Sequence, residues 1–264
     1  MLKYLIPLLI VGQAHGALII SDVDDTIKIT NSGSLVDAAW SGVFTKDVFP
    51  GMPEMYRAWG EQNKIYFVTG APTLISGRIS ELLREHNVTY ESLTTRSNIL
   101  ERTHSYKMRA ISRIMDRAPN EQVILIGDDV SADHLVFQDL AEKYPGRILA
   151  AYVRPVKNRA ALENQIPYVT AYDIATTELR EQRLGIVQYG RITAAVMTGD
   201  AAKLFPKFTW CPKELDGSAL PTENSTHLGA QQVEDRIESI CRGRARRVRA
   251  VKEEVIASTE EITE

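Results

Sequence analysis

The chain alternates short apolar runs with segments of helical periodicity. Leu18-Ile19-Ile20 is a continuous apolar run that stops at Asp22, Asp24 and Asp25; it predicts a buried parallel strand feeding directly into polar chemistry. Met52, Met55, Tyr56 and Trp59 follow at helical spacing, closed by Gly60. Ile65 to Val68 predicts a second strand ending at Thr69-Gly70, and Ile75, Ile79, Leu82 and Leu83 the next helix face. Val88 to Leu93 reads as a short edge strand, and Met108, Ile111 and Met115 as a helix stopped near Pro119. Val123 to Ile126 is a third strong strand, ending at Gly127-Asp128-Asp129. A helix through Leu135, Val136 and Leu140 closes at Pro145-Gly146, and Ile148 to Val153 is the next strand. Beyond Arg154 the pattern thins to a strand at Tyr168-Val169 and a helix through Ile174 and Leu179. After a loop-like stretch over 212–230, a stripe of Val233, Ile237, Ile240, Val248, Val251 and Val255 predicts a helical carboxyl-terminal extension.

Strands alternating with helices predict an α/β fold, a doubly wound parallel sheet covered on both faces. Such folds gather their chemistry at the carboxyl ends of the strands. Asp22, Asp24, Thr69, Asp128 and Asp129 all fall there. The 264 residues leave ample length for a core. With 31 basic and 34 acidic residues, the formal net charge of -3 argues against a nucleic-acid partner. The run Arg242, Arg244, Arg246, Arg247, Arg249 and Lys252 reads as a solvated helix face. Two cysteines, Cys211 and Cys241, exclude a cysteine-rich zinc site and allow one internal disulfide.

The amino terminus reads as a cleaved export signal over residues 1–16. Lys3 supplies a positive start, and Leu5 to Gly12 an apolar stretch well below the ~20 residues of a spanning helix. Ala14-His15-Gly16 then resembles a small-x-small cleavage site. The expectation is an exported protein, periplasmic or secreted, with no stable membrane anchor after cleavage.

Asp22 and Asp24 lie two residues apart just past one strand, and Asp128 ends another. Converging carboxylates repel, and a hard divalent cation relieves that cost; Mg²⁺ takes one or two carboxylates together with phosphate and water. Thr69 offers a hydroxyl beside backbone N–H groups, and Lys107, at a helix start, a positive charge. Carboxylates with Mg²⁺, a hydroxyl donor and a lysine are the parts that phosphoryl transfer needs. A receiver-like phospho-acceptor domain, which is not an enzyme, uses similar parts. Its paired acids precede the acceptor, though, whereas here Asp24 stands two after Asp22 and supplies an acid/base group.

Asp22 to Thr26 (Asp-x-Asp-x-Thr), Val68 to Gly70 (hydrophobic-Thr-Gly), Lys107 and Gly127 to Asp129 (Gly-Asp-Asp) match, in order, the four motifs of the haloacid dehalogenase superfamily. SDVDDTIKIT, FVTGAP, VILIGDD with Asp133, and YPGRILAAYVRPV further resemble the actin-patch-associated phosphatidate phosphatase catalytic domain, over about residues 17–156 and more loosely to 212. The resemblance implies a phosphatase domain over 17–212, followed by a loop and helical extension over 213–264. It implies Asp22 as nucleophile forming an aspartyl phosphate and Asp24 as the acid that becomes the base. Thr69 and Lys107 then hold the phosphoryl oxygens. Mg²⁺ is expected on the Asp22 and Asp128 carboxylates and the Asp24 carbonyl, with Asp129 or Asp133 beside it. The implied substrate is a phosphomonoester, with phosphatidate at a membrane surface as the family-level choice. The alternative is a broad-specificity exported acid phosphatase acting on soluble esters. Neither 27–63 nor 71–106 is long enough for a separate cap domain of at least ~50 residues once its predicted elements are placed. A flap over 27–50 remains, with Trp40, Val43, Phe44, Val48 and Phe49 as an apolar face for acyl chains.

Overall fold

The computed structural model describes residues 16–30, 46–130, 132–157, 159, 161–206, 209 and 231–243. Its centre is a six-stranded, wholly parallel sheet made of β1 (Leu18–Ser21), β2 (Lys64–Pro72), β3 (Ser92–Arg96), β4 (Val123–Asp128), β5 (Ile148–Arg154) and β6 (Ile166–Pro167). The spatial order is β3-β2-β1-β4-β5-β6, the doubly wound order in which the chain starts in the middle and reverses direction once. The reversal leaves β1 beside β4, with Ser21 in register with Ile126.

Burial explains the two central strands. β1 and β4 are buried along their whole length, as parallel strands covered on both faces must be. Their side chains alternate between two cores. Ile19, Ile124 and Ile126 face the first core, with α1 (Met52–Gly60), α2 (Ser76–Glu85), α5 (Ala171–Arg180) and α6 (Ile186–Thr198). Leu18, Ile20, Val123 and Leu125 face the second core, with α3 (Thr103–Arg117) and α4 (Asp133–Lys143). α1 sits by its Met52, Met55, Tyr56 and Trp59 stripe, all buried. Gly51 before it takes φ 84°, and a Cβ there would lie 2.7 Å from Val196 Cγ2 and 2.9 Å from Ala171 Cβ, so both conformation and space require glycine.

Several expectations shift. β2 runs past Thr69-Gly70 to Pro72. The edge strand is Ser92–Arg96, not Val88 to Leu93; Val88 is instead a core side chain under the chain's turn into it. The sixth strand is Ile166–Pro167, and Tyr168 and Val169 follow it into the core. Leu135 is exposed, so α4 packs through Val136, Phe137 and Leu140. α6 and the short α7 (Ala201–Leu204) went unread in the sequence. Phe49 is buried beneath Arg154 rather than free for a ligand; Trp40, Val43 and Phe44 lie outside the described residues. The helix over 231–243 lays Val233, Ile237 and Cys241 into the first core. Cys241 is disulfide-bonded; Cys211 lies outside the described residues, as do residues 1–15 of the expected signal segment and Val248 onward. Among the described residues no helix is long and apolar enough to cross a membrane.

Candidate active site

The crevice of a doubly wound sheet opens where the strand order reverses. Here that point lies between β1 and β4, and Asp22 and Asp128 stand at their carboxyl ends. The Asp22 backbone N–H donates to the Ile126 carbonyl at 2.9 Å, holding the two strand ends together. The next residues turn sharply. The amides of Thr26, Ile27 and Lys28 all donate to the Val23 carbonyl at 3.0–3.3 Å, and Asp25 takes φ 53°, a conformation Asp tolerates better than most residues. The turn keeps Asp24 over the sheet edge. Its Oδ1 accepts from Thr30 Oγ1 at 2.9 Å and from Lys28 Nζ at 3.4 Å, and its Oδ2 from Thr69 Oγ1 at 3.3 Å.

The structure brings Asp22, Asp128 and Asp133 together, each offering a carboxylate oxygen within 4.8 Å of the others. All three are buried, as is Lys107. Lys107 Nζ donates to Asp22 Oδ1 at 2.7 Å and to Asp133 Oδ1 at 2.5 Å, so a side chain from α3 spans two carboxylates from different elements. Gly127 makes the approach of Asp133 possible: a Cβ there would stand 2.6 Å from Asp133 Oδ2 and 2.8 Å from its Cβ. Thr69 Oγ1 also accepts from the Ala71 N–H at 3.1 Å, fixing its rotamer three residues before the end of β2.

The electrostatics follow from burial. Taking Asp22 out of water pushes its carboxyl up to about 8; Lys107 opposes this, while Asp133 and Asp24 add to it. Asp128 is likewise raised well above the usual carboxylate range, by burial first and then by Asp133 and Asp22. Burial alone would push the Lys107 ammonium down, but Asp133, Asp22 and Asp128 reverse that and hold it charged. Three acids share one cation, a deficit of positive charge that Asp22 and Asp128 meet by holding their protons above the usual carboxylate range. A hard divalent cation with oxygen ligands fits that deficit.

The expected residues therefore divide. Asp22, Lys107 and Asp128 converge, and Asp24 and Thr69 meet each other beside them. The Asp24 carboxylate is outside the convergent trio; Asp133 is in it. Asp129 turns away, its two oxygens accepting the backbone N–H groups of Lys157 at 2.6 Å and Arg159 at 2.9 Å. His104 pairs with Asp139 at 2.9 Å, bridging α3 to α4.

Three residues were missed. Lys28 and Thr30 hold Asp24, and a lysine between Ile27 and Ile29 was the available signal. Arg154 is buried at the end of β5, its guanidinium 3.8 Å from the Phe49 ring centre and 4.5 Å from that of Tyr168. It donates to the Thr26 carbonyl at 3.2 Å and to the Val169 carbonyl, bracing the Asp24 turn from below. A cation ending an apolar strand carries the same signal as the carboxylates that end β1 and β4.

Comparison with known proteins agrees with this geometry. Residues 17–155 match the family model described as "Phosphatidate phosphatase APP1, catalytic domain". Phosphatidate phosphatase APP1 of Saccharomyces cerevisiae is 26% identical over 156 residues, 54% of this chain and 27% of the relative. An uncharacterized protein of Schizosaccharomyces pombe, C29B5.04c, is 23% identical over 175 residues, 59% of this chain and 29% of that protein. The chain thus spans less than a third of the length of either relative. No solved structure matches it. The family match covers β1 to β5 and every residue of the carboxylate cluster, and on that basis the chain belongs to the family of APP1 phosphatidate phosphatase catalytic domains, a family of phosphoric monoester hydrolases.

Proposed function

We propose that this protein is a Mg²⁺-dependent phosphomonoester phosphatase working through an aspartyl phosphate on Asp22, with phosphatidate as its substrate. The observation that carries the reading is the Lys107 bridge: one buried ammonium bonded to both Asp22 and Asp133 while Asp128 converges on the same point.

The Asp22 and Asp128 carboxylates, with the Asp24 carbonyl, would hold the cation, and Asp133 lies beside them. Bound there, Mg²⁺ neutralises charge on the transferring phosphoryl group. Lys107 keeps Asp22 in one orientation and adds positive charge for the phosphoryl oxygens. The Asp22 carboxylate attacks phosphorus; the new O–P bond forms as the P–O bond to the alcohol breaks. Asp24, held by Thr30, Lys28 and Thr69, gives its proton to the departing oxygen. The resulting Asp24 carboxylate takes a proton from water, whose oxygen attacks the phosphorus and releases phosphate from Asp22. Thr69 steers both the Asp24 side chain and the incoming phosphate.

The test is phosphate release by the full chain from phosphatidate in detergent micelles, beside nucleoside monophosphates and sugar phosphates, with Mg²⁺ or with EDTA. Mg²⁺-dependent release from phosphatidate, lost in Asp22→Asn, supports the reading. Release from the soluble esters alone gives the function to a soluble-substrate acid phosphatase. Stoichiometric phosphorylation of Asp22 without turnover makes the domain a phospho-acceptor.

A further inference from the structure

Six large apolar side chains stand exposed among the described residues, and three of them sit on two loops at the active-site end of the sheet. Leu74 is 94% exposed, in the turn Thr73–Ile75 that follows β2; Ile99 and Leu100, 64% and 89% exposed, lie between β3 and α3. These loops leave the same sheet edge that carries Thr69, and the first is tied to β3, the strand from which the second departs. Thr95 Oγ1 donates to Thr73 Oγ1 at 3.1 Å. A Cβ on Gly70, next to Thr69, would lie 3.4 Å from Thr103 Cγ2, at the start of the helix that bears Lys107.

The second loop is also braced from within. Leu100 N–H donates to Asn98 Oδ1 at 3.0 Å, and Arg96 donates to the Glu101 carbonyl at 3.2 Å and to Thr103 Oγ1 at 3.0 Å. Its apolar side chains are thus presented by a fixed backbone and covered by none of the chain described. Leaving Leu or Ile in water at such sites forgoes burial energy.

The charge around the patch selects what covers it. Arg78 and Arg102 are exposed beside the two loops, and neither forms an ion pair among the described residues. The loop's acid, Glu101, is tied to Arg109 by both carboxylate oxygens, and Glu81 of α2 is met by Lys46 at 3.2 Å. The rim is therefore apolar at its tips and cationic at its flanks. That combination fits an anionic lipid surface, where side chains such as leucine enter the headgroup boundary and nearby arginines are drawn to the anionic headgroups.

We infer that Leu74, Ile99 and Leu100, flanked by Arg78 and Arg102, form an interfacial docking surface that seats the active-site edge on an anionic bilayer. The inference rests on the lipid-substrate reading and adds to it the means by which a bilayer-held phosphate ester reaches Asp22.

Binding is measured apart from turnover, with vesicles of phosphatidylcholine containing phosphatidylglycerol, a phosphodiester that a monoesterase leaves intact. The triple variant Leu74→Ser, Ile99→Ser, Leu100→Ser is expected to partition at least about tenfold more weakly, with unchanged turnover of a soluble aryl phosphate. Arg78→Gln with Arg102→Gln is expected to weaken binding to the anionic vesicles while leaving binding to pure phosphatidylcholine unaltered. Equal partition of wild type and triple variant overturns the inference. So does a concentration-dependent wild-type dimer that the triple variant abolishes, because the patch then belongs to a second copy. Wild type that binds vesicles through these residues yet releases nothing from phosphatidate upholds the docking surface and removes phosphatidate as substrate.

Discussion

Replacing Lys107 by methionine keeps the length and most of the volume of the side chain and deletes its charge. In the native cluster that charge answers Asp22 at 2.7 Å and Asp133 at 2.5 Å, all three groups being buried. Removing one partner from a buried ion pair costs roughly 3–5 kcal/mol, because the charge left behind is uncompensated. Here two partners are left, with Asp128 close by, so the cost at pH 8 belongs at the upper end of that range. The carboxyl cluster can shed its charge by taking up protons, and at pH 5 most of the penalty disappears by that route. The expected result is urea unfolding of metal-free Lys107→Met in which the destabilisation relative to wild type is several kcal/mol at pH 8 and falls to about 1–2 kcal/mol at pH 5. Lost packing would be indifferent to pH. A destabilisation of the same size at both pH values, or below about 1 kcal/mol at pH 8, refutes the argument that Lys107 is the electrostatic keystone of the site.

The remaining expectations concern the same cluster. Metal-free wild type should lose stability as pH rises from about 4 to about 8: the folded carboxyl of Asp22 is raised from 3.8 to about 8, so its contribution is full below 3.8 and gone above 8. Mg²⁺ added at pH 8 should restore the melting temperature, and a melting temperature that climbs across that window without metal refutes the sign. Asp24→Asn is expected to slow phosphate release by about 10²–10⁴-fold while Mg²⁺ titration by calorimetry stays close to wild type; a comparable loss of metal affinity places its side chain on the cation. Gly127→Ala should cut turnover by an order of magnitude or more through displacement of Asp133, and unchanged kinetics would show that Asp133 has room to shift at no cost. Export with cleavage after Gly16 predicts a secreted chain whose first residue, by amino-terminal sequencing, is Ala17.

The sheet was legible because its central strands have no solvent face. Leu18-Ile19-Ile20 and Val123 to Ile126 must satisfy two cores at once, and only unbroken apolar runs do so. The edges were misplaced for the converse reason. β3, Ser-Leu-Thr-Thr-Arg, is half-buried throughout and carries no apolar alternation to mark it, so the stronger hydrophobicity of Val88 drew the expectation forward by four residues. Leu135 misled similarly: it lies next to the buried Val136 in sequence but about 100° round the helix from it, where the side chain is exposed. α6 escaped because Ile186 and Val187, its first apolar residues, are exposed, and its buried face is made by Tyr189, Ile192, Thr193 and Val196.

The site divides along a different line. Asp22, Asp24, Thr69 and Asp128 lie at or within three residues of the carboxyl ends of their strands, where a parallel sheet fixes direction and neighbourhood; once β1 and β4 are adjacent, Asp22 and Asp128 have no other place to go. Asp133 begins a helix, and an aspartate there reads equally well as an amino-terminal helix acid. What decides its role is Gly127, six residues earlier on another element, whose missing Cβ leaves the space that Asp133 enters. The pairing therefore becomes visible only when strand and helix are packed together. Arg154 is the same kind of residue. Its work is to hold the Thr26 and Val169 carbonyls, acceptors separated by more than a hundred residues of chain, while two aromatic rings cover it. Groups to which the proposed chemistry gives a part are thus announced by local sequence, because that chemistry demands particular side chains near a strand end. Groups that aim them are not, because any cation or small residue in the right place serves, and the place is defined by the fold. If this holds, Arg154→Lys should keep the charge and still loosen the turn that carries Asp24, since an ammonium lacks the planar fork that reaches two carbonyls. Its signature is a fall in kcat with Mg²⁺ affinity intact; full activity in Arg154→Lys would reduce Arg154 to a buried charge with no part in aiming Asp24.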